Sequence, residues 1–230
     1  MGHEYFYLVE IFRLMGLEHF AEEYKHVIHS WFIMLLLVAG GFLLIRKIKI
    51  IPGKGQNLVE LIVGGLEDFT TGITGPEGKA FFPFIATIFL YILFSNLIGL
   101  IPGFYSPTAN LNTTLSMAIC TFILTHAIGI KYHGAKYIRH FFGPVWVLAP
   151  FMFIIESIGH LARVLSLSIR LFGNIFGKET VLGILFSLAG LYLFLAEFVL
   201  FLGILVSLIQ AFVFALLSIV YFAGAMEEAH

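Results

Sequence analysis

Long apolar runs separated by short polar segments cover most of the chain. About twenty consecutive apolar residues are enough for a helix to cross the hydrocarbon core of a bilayer. Residues 27–45, 81–101 and 115–130 form three such runs, the last of them short, and residues 145–226 form a much longer apolar block. The pattern predicts an all-α polytopic membrane protein with five or six helices, organised as one integral membrane domain over residues 1–230.

Two segments beside the first run have a different pattern. Residues 1–26 carry five glutamates before any long apolar core, which is unlike a secretory signal peptide. In residues 56–69 apolar side chains recur at helical spacing, and Glu60, Glu67 and Asp68 occupy positions between them. This segment is predicted to be an amphipathic helix on the membrane surface, with an ordinary polar loop as the alternative.

The distribution of lysine and arginine predicts the orientation, because short cytoplasmic loops are enriched in these residues. The segment 102–114 has neither. We therefore expect an outer N-terminal segment and a cytoplasmic C-terminus. The short outer segments and the lack of a transit peptide favour a bacterial cytoplasmic (inner) membrane over that of an organelle. The basic residues on which the expected orientation rests follow the first and third runs and are Arg46, Lys47, Lys49, Lys54, Lys131, Lys136 and Arg139.

The composition excludes several classes of protein. The chain is 60% hydrophobic and 12% charged, whereas soluble domains are about 45–50% apolar and about 25% charged. A soluble enzyme of this size could not bury so much apolar surface. The net charge of −1 offers no basic surface for nucleic acid. The single cysteine, Cys120, allows no internal disulfide, and we expect neither a cofactor nor a metal site.

Six charged residues interrupt the long apolar block, although each costs about 2.5–3.5 kcal/mol at mid-membrane. One helical stripe links several polar positions, which predicts an aqueous cleft or a partner protein along that side. Structural ion pairs, for instance Glu156 with Arg163, and snorkelling at the interface are the alternatives. Arg170 has no acidic residue three or four positions away, so we expect its counter-ion to come from a later segment or another subunit. The stripe comprises Glu156, His160, Arg163, Leu167, Arg170 and Asn174.

A second stripe follows nearer the C-terminus, and two facing polar stripes predict a helical hairpin. Close packing on small residues explains most of this stripe but not Gln210, whose amide needs hydrogen-bond partners. The first helix of the hairpin is either one long, strongly tilted helix or two upright spans broken near Gly173 or Gly177, and Gly190 is a plausible reversal point. The second stripe comprises Gly203, Ser207, Gln210, Phe214, Ser218 and Tyr221.

Four blocks of sequence, in the same order, resemble the a subunits of F-type rotary ATP synthases. The most specific is SLSIRLFGN at residues 166–174. The others are NLIGLIP at 96–102, PTANLNTT at 107–114 and the stretch from Gly203 through QAFVF at 210–214 to Tyr221. The third block has Asn110 where the family usually has aspartate. The resemblance covers the chain from about Ser30 to its C-terminus.

The resemblance implies a stator subunit with two offset half-channels beside a rotating ring of c subunits, each bearing a buried carboxylate. It also implies contact with the peripheral-stalk b subunits, the remainder of the ATP synthase complex and the lipid bilayer, and a long, strongly tilted C-terminal hairpin. Arg170 falls on the essential arginine. Asn174, Glu179 and Gln210 fall on the outer half-channel, and Glu156 lines the cytoplasmic half-channel with His160 and Arg163 near it. Glu197 is either a further acidic site at the outer mouth or a simple interfacial residue.

The chain departs from some members of that family near Glu179. Those members have a histidine on the last helix where this sequence has Gly203, and here Lys178 lies beside Glu179. The expected function is translocation of ions, with protons favoured, coupled to rotation of the ring and without an ATP site in this chain. The alternative is a stand-alone secondary transporter or ion channel. A membrane-embedded hydrolase is disfavoured because the HExxH and GxSxG motifs are absent.

Overall fold

All regular elements in the described part of the chain are helical. The computed structural model describes residues 7–14, 16, 18–45, 53–134, 137, 149–187 and 193–227. The predicted all-α polytopic class is confirmed. Eight α-helices occur in these ranges, more than the five or six predicted, because residues 1–26 contain two short helices. The helices are α1 (Tyr7–Leu14), α2 (Glu18–Glu23), α3 (Lys25–Ile45), α4 (Lys54–Thr74), α5 (Phe82–Ile98), α6 (Leu111–His133), α7 (Ala149–Ser187) and α8 (Leu193–Met226), with 3-10 turns at Pro76–Ala80 and Pro107–Ala109.

Four of these helices are long and apolar enough to cross a bilayer, namely α3, α6, α7 and α8. The apolar α5 is shorter, with 17 residues. Many large apolar side chains on the outside of the bundle are exposed, including Leu35, Ile158 and Phe201. Such a surface is stable when it faces lipid, so the described part of the chain is that of a multi-pass membrane protein.

The C-terminal hairpin is built from two unusually long helices. α7 has 39 residues and passes Gly173 and Gly177 without a break, and α8 has 34 residues. At about 1.5 Å per residue these lengths correspond to about 58 and 51 Å. Because a hydrocarbon core is only about 30 Å thick, helices of this length lie far from the membrane normal or extend beyond it. The proposed reversal at Gly190 lies outside the described residues.

The core forms where α5, α6 and α7 pack against α8. Phe214 and Phe222 on α8, Ile85 on α5, and Leu171 and Ile175 on α7 have no exposed surface. Leu171 and Ile175 are four residues apart and therefore lie on one face of α7. The opposite face of α7 is left outside the bundle, and that face carries Arg170.

The helix α4 packs on the bundle at its C-terminal half and leaves its N-terminal half exposed. Leu66 is buried, and the Phe69 ring lies 5.2 Å from that of Phe212 on α8. Leu58 and Leu61 are 59% and 72% exposed. These exposed apolar side chains are compatible with the predicted amphipathic surface helix.

The loop before α6 contributes to the site described below, and Asn110 determines where that helix begins. Its side-chain oxygen accepts a hydrogen bond from the backbone N–H of Asn112 at 2.9 Å, which is an N-cap contact. α6 therefore begins at Leu111, four residues before the predicted third span. The basic residues Arg46, Lys47, Lys49, Lys136 and Arg139, used for the predicted orientation, lie outside the described residues.

Candidate functional site

The polar side chains of α7 fall into three groups along its length. Glu156 and Glu179 are 23 residues apart, which is about 35 Å along a helix. Arg170 stands between them, about 21 Å from Glu156 and about 14 Å from Glu179 along the axis. The groups at the two ends contact different elements of the bundle, so α7 connects two separate polar regions.

The first region, here called the Asn96 network, joins α5, the loop after it, α7 and α8. The Asn96 side chain is fully buried; its Oδ1 accepts a hydrogen bond from Thr108 Oγ1 at 2.6 Å, and its Nδ2 donates to the Ser207 carbonyl at 3.4 Å. Ser106 donates its hydroxyl to the Ser95 carbonyl at 2.7 Å. A buried amide in an apolar helix is stabilised only with such partners.

Two adjacent charged residues of α7 reach this network. Glu179 Oε1 accepts the backbone N–H of Ser106 at 3.0 Å, and Lys178 Nζ donates to the carbonyl of Asn96 at 3.0 Å. Two glycines leave room for these side chains. A Cβ on Gly99 would lie 2.6 Å from Glu179 Oε1, and one on Gly203 would lie 3.2 Å from Lys178 Cδ.

The middle of α7 carries an amide pair and an outward-facing arginine. Asn174 Nδ2 donates to Gln210 Oε1 on α8 at 2.8 Å. Arg170 is exposed, and its Nη2 donates to Ser166 Oγ at 3.3 Å. Among the described residues no carboxylate lies within ion-pair distance of Arg170. The counter-ion expected from the sequence is therefore not supplied by the described part of this chain.

The second stripe forms most of the buried face of α8. Ser207 and Ser218 are fully buried, and each donates its hydroxyl to the carbonyl four residues earlier on its own helix. Their role is therefore explained by close helix packing. Gln210 differs, since its buried amide is satisfied across the hairpin by Asn174. The amide pair is thus a hydrogen bond between the two stripes.

The second polar region surrounds Glu156, near the C-terminal end of α6. Glu156 Oε1 lies 3.3 Å from His160 Nε2, one helical turn further along α7. The Arg163 guanidinium lies 5.7 Å from the centre of the Tyr221 ring on α8. A cavity of about 360 Å³ adjoins these four side chains. Within this described group Glu156 pairs with His160 and not, as the alternative supposed, with Arg163.

The structure brings the predicted site residues together in two separate groups, Asn174 with Gln210 and Glu156 with His160 and Arg163, whereas Arg170 bonds to Ser166 and Glu179 to Ser106. Glu197 is exposed and has no contact with the other predicted residues in the described part of the chain. Five residues that contact the site were not assigned to it from the sequence: Asn96, Ser106, Thr108, His126 and Tyr137. Asn96 and His126 are polar residues inside apolar runs, and this position was the sequence feature that could have indicated a role in the site. Among the described residues no group of three His, Cys, Asp or Glu side chains could hold a metal ion.

These features define a class of protein: a multi-pass helical membrane protein with ionisable groups at both ends of one long helix and an arginine between them. Comparison with known proteins specifies the family. The profile of the ATP synthase A chain family matches residues 27–223. The chain is 55% identical to ATP synthase subunit a of Desulfosudis oleivorans, over the full length of both. Its identity to ATP synthase subunit a of Syntrophobacter fumaroxidans is 55%, over 89% of this chain and 85% of the relative. With ATP synthase subunit a 1 of Syntrophotalea carbinolica it is 52%, over 94% and 92%.

The chain therefore belongs to the ATP synthase A chain family, and the resemblance seen in its sequence is confirmed. Members of this family are non-catalytic, ion-translocating subunits of the membrane sector of F-type ATP synthase. Membership decides against the alternative of a stand-alone transporter or channel.

Proposed function

We propose that this subunit carries protons along two separate paths, one at each end of α7, and that Arg170 keeps the paths apart while it faces the carboxylate of a c-subunit ring. The observation that carries the proposal is the exposed guanidinium of Arg170 on the outward face of α7, with Ser166 as its hydrogen-bond partner. A guanidinium in an apolar surface needs an anionic partner. The ring carboxylate that the resemblance implies is an anion of the required charge.

The electrostatics of such a pair explain the coupling. A carboxylate that faces lipid is stable only when it is neutral. When it reaches an arginine, the positive charge lowers its pKa by about 1–3 units and favours release of the proton. The fixed charge also repels a proton that would pass directly between the two paths. Protons then cross only on the ring, and crossing requires rotation.

Each path is assigned by the contacts of its residues. The pair of Asn174 and Gln210, together with Glu179, forms the outer path, because these groups lie between Arg170 and the Asn96 network. Glu197 is proposed to stand at the mouth of this path. At the other end Glu156, His160 and Arg163 form the cytoplasmic path, beside the cavity of about 360 Å³.

The proposal includes an orientation and a set of partners. The N-terminus is proposed to lie outside a bacterial cytoplasmic membrane and the C-terminus in the cytoplasm. The outward face of α7 is proposed to contact the ring of c subunits. The peripheral-stalk b subunits are the other proposed membrane partners within the ATP synthase complex.

The test is removal of the arginine charge in the assembled complex. Arg170→Ala is expected to abolish ATP synthesis driven by a proton gradient across vesicles, while the complex still assembles. Arg170→Lys is expected to retain little activity, since a lysine covered by the ring lacks the planar fork and loses its proton more readily. Lys131→Ala, which removes a positive charge from the exposed end of α6, is the matched control and is expected to remain active. Normal coupled synthesis by Arg170→Ala would refute the role.

A further inference from the structure

His126 on α6 projects into the region around Glu156. Its ring centre lies 4.8 Å from that of His160, and the two planes are nearly perpendicular at 80°. On its other side, His126 Nδ1 and the hydroxyl of Tyr137 are hydrogen-bonded at 2.8 Å. The imidazole of His126 is therefore placed between a phenol and a second imidazole.

A glycine on α6, Gly129, leaves room for the Tyr137 ring in this position. A Cβ on Gly129 would lie 2.2 Å from Tyr137 Cε2. Any larger residue at position 129 would therefore collide with the Tyr137 ring. Gly129 is three residues after His126 and shares its face of the helix. Burial raises the pKa of the Tyr137 hydroxyl, with Glu156 adding to the increase and Arg163 opposing it. The phenol thus keeps its proton and can donate it in a hydrogen bond.

Four ionisable groups from three segments consequently form a series of neighbours, in which the contact between the two imidazoles is a ring contact. It runs from Tyr137 to His126, then to His160, and ends at Glu156, whose Oε1 is 3.3 Å from His160 Nε2. The cavity of about 360 Å³ is lined by all of these except His126. The other charged or titratable groups of the described residues beside the series are Arg163 on α7 and Tyr221 on α8, which lie over one another.

We propose that His126 is a further proton-carrying residue of the path at the Glu156 end, working with Tyr137. The proposal rests on the proposed function, which assigns Glu156 and His160 to that path. A neutral imidazole has one nitrogen that accepts a proton and one that can release a proton. His126 Nδ1 takes the proton of the Tyr137 hydroxyl, whose oxygen takes up another proton from water in the cavity, and the ring gives up the proton of Nε2 toward His160. The net charge is unchanged once the ring has returned to its first tautomer.

The competing explanation is a histidine that only packs in the protein interior. The ring of His126 lies 4.2 Å from that of Phe122, so aromatic packing is part of its environment. A packing role requires the shape of the ring, whereas proton transfer requires a titratable nitrogen. Imidazole added from solution can restore proton transfer in a variant that lacks His126, but it cannot restore the packing of the lost side chain.

The experiment measures passive proton conductance of vesicles that contain the assembled membrane sector, with His126 replaced. His126→Gln is expected to lower the conductance by about tenfold. This is less than the roughly 10²-fold or more that a positioned proton-transfer group contributes to catalysis, since water in the cavity can carry part of the flow. In His126→Ala, added imidazole is expected to restore conductance. Tyr137→Phe, which keeps the ring and removes only the hydroxyl, is expected to lower the conductance as well.

The matched control is His133→Gln, two turns further along the same helix. His133 Nε2 is hydrogen-bonded to the carbonyl of Ala225 and lies outside the series. Vesicles with the His133→Gln variant should therefore conduct protons as well as those with the wild type. Wild-type conductance in His126→Gln, or a loss in His126→Ala that imidazole does not reverse, would overturn the role of His126.

Glu156→Gln separates this failure from that of the proposed function. If Glu156→Gln lowers conductance and His126→Gln does not, the path stands and His126 is not part of it. If His126→Gln, Glu156→Gln and His160→Gln all conduct normally, the path itself is wrongly placed, and the role of His126 is rejected with it.

Discussion

Asn174 on α7 donates a hydrogen bond to Gln210 on α8, with 2.8 Å between Nδ2 and Oε1. Gln210 is 5% exposed, whereas Asn174 is exposed on the outer surface of the hairpin. The pair therefore connects the packed interior to the outward face of α7, and Arg170 is one turn away from Asn174 on that helix. A change in the pair alters the polar surface beside the arginine without changing the arginine itself.

The first prediction concerns this pair. Gln210→Leu and Asn174→Leu are each expected to slow proton conductance, because each leaves the opposite amide without its partner. The double substitution is expected to lower the unfolding free energy by less than the sum of the two single substitutions. The coupling should be about 0.6 kcal/mol, the average for such bonds between membrane helices. A double-mutant cycle on the unfolding free energy of the complex in detergent measures it, and strictly additive effects would show that the amides act independently.

The second prediction concerns the stability of the Asn96 network. Asn96→Leu removes the acceptor of Thr108 and the donor to the Ser207 carbonyl, all in a region without exposed surface. The expected loss of unfolding free energy is about 1–3 kcal/mol, the usual cost of unsatisfied buried polar groups. Thr87→Val on the exposed face of α5 is the control. Its hydroxyl bonds only to the carbonyl of Pro83 on its own helix, so it should be nearly neutral. Thermal unfolding of the purified complex in detergent would compare the two.

Local patterns in the sequence predicted the long helices and the facing stripes of the hairpin, while the contacts of the Asn96 network could not be predicted. The apolar runs predicted the long helices but not α1 and α2, and the stripe on α8 lies mostly on its buried face. Gly173 and Gly177 could have broken α7, but a glycine costs a helix only about 1 kcal/mol. Leu171 and Ile175, both fully buried, hold the helix against the bundle through this region.

The Asn96 network shows why the site was only partly predictable. Asn96 contacts Ser207 across 111 positions of sequence, and Ser106 contacts Glu179 across 73. No helical spacing describes such pairs, because they depend on how the helices pack. The pairing of Glu156 with His160 is different, since the two are four residues apart and the sequence contained that spacing.

The third prediction concerns the space that Gly99 leaves for Glu179. A Cβ at position 99 would lie 2.6 Å from Glu179 Oε1 and 2.6 Å from Ser106 Cβ. Gly99→Ala is therefore expected to break the bond between Glu179 and the Ser106 N–H, with a loss of about 1–3 kcal/mol from overpacking. Gly40→Ala in α3 is the control, because nothing lies within 4 Å of the added Cβ. Proton conductance should fall for Gly99→Ala alone; equal conductance in the two variants would argue against Glu179 as a path residue.

The last prediction concerns the close approach of the Lys178 side chain to Gly203. A Cβ at position 203 would lie 2.7 Å from Leu100 Cδ2 and 3.2 Å from Lys178 Cδ, and both are side-chain atoms. Gly203→His therefore needs the space that the lysine stem now fills, and it is expected to displace the ammonium from the Asn96 carbonyl. The single variant should lower both the yield of assembled complex and the proton conductance. Lys178→Ala in the same chain shortens the stem and is expected to restore much of the yield, since the imidazole can then occupy the vacated volume. Recovery by Lys178→Ala would be specific to this pair, and Lys131→Ala, which removes a lysine from the exposed end of α6, should give none. If the double variant assembled no better than Gly203→His, crowding against Leu100 would be the deciding contact instead.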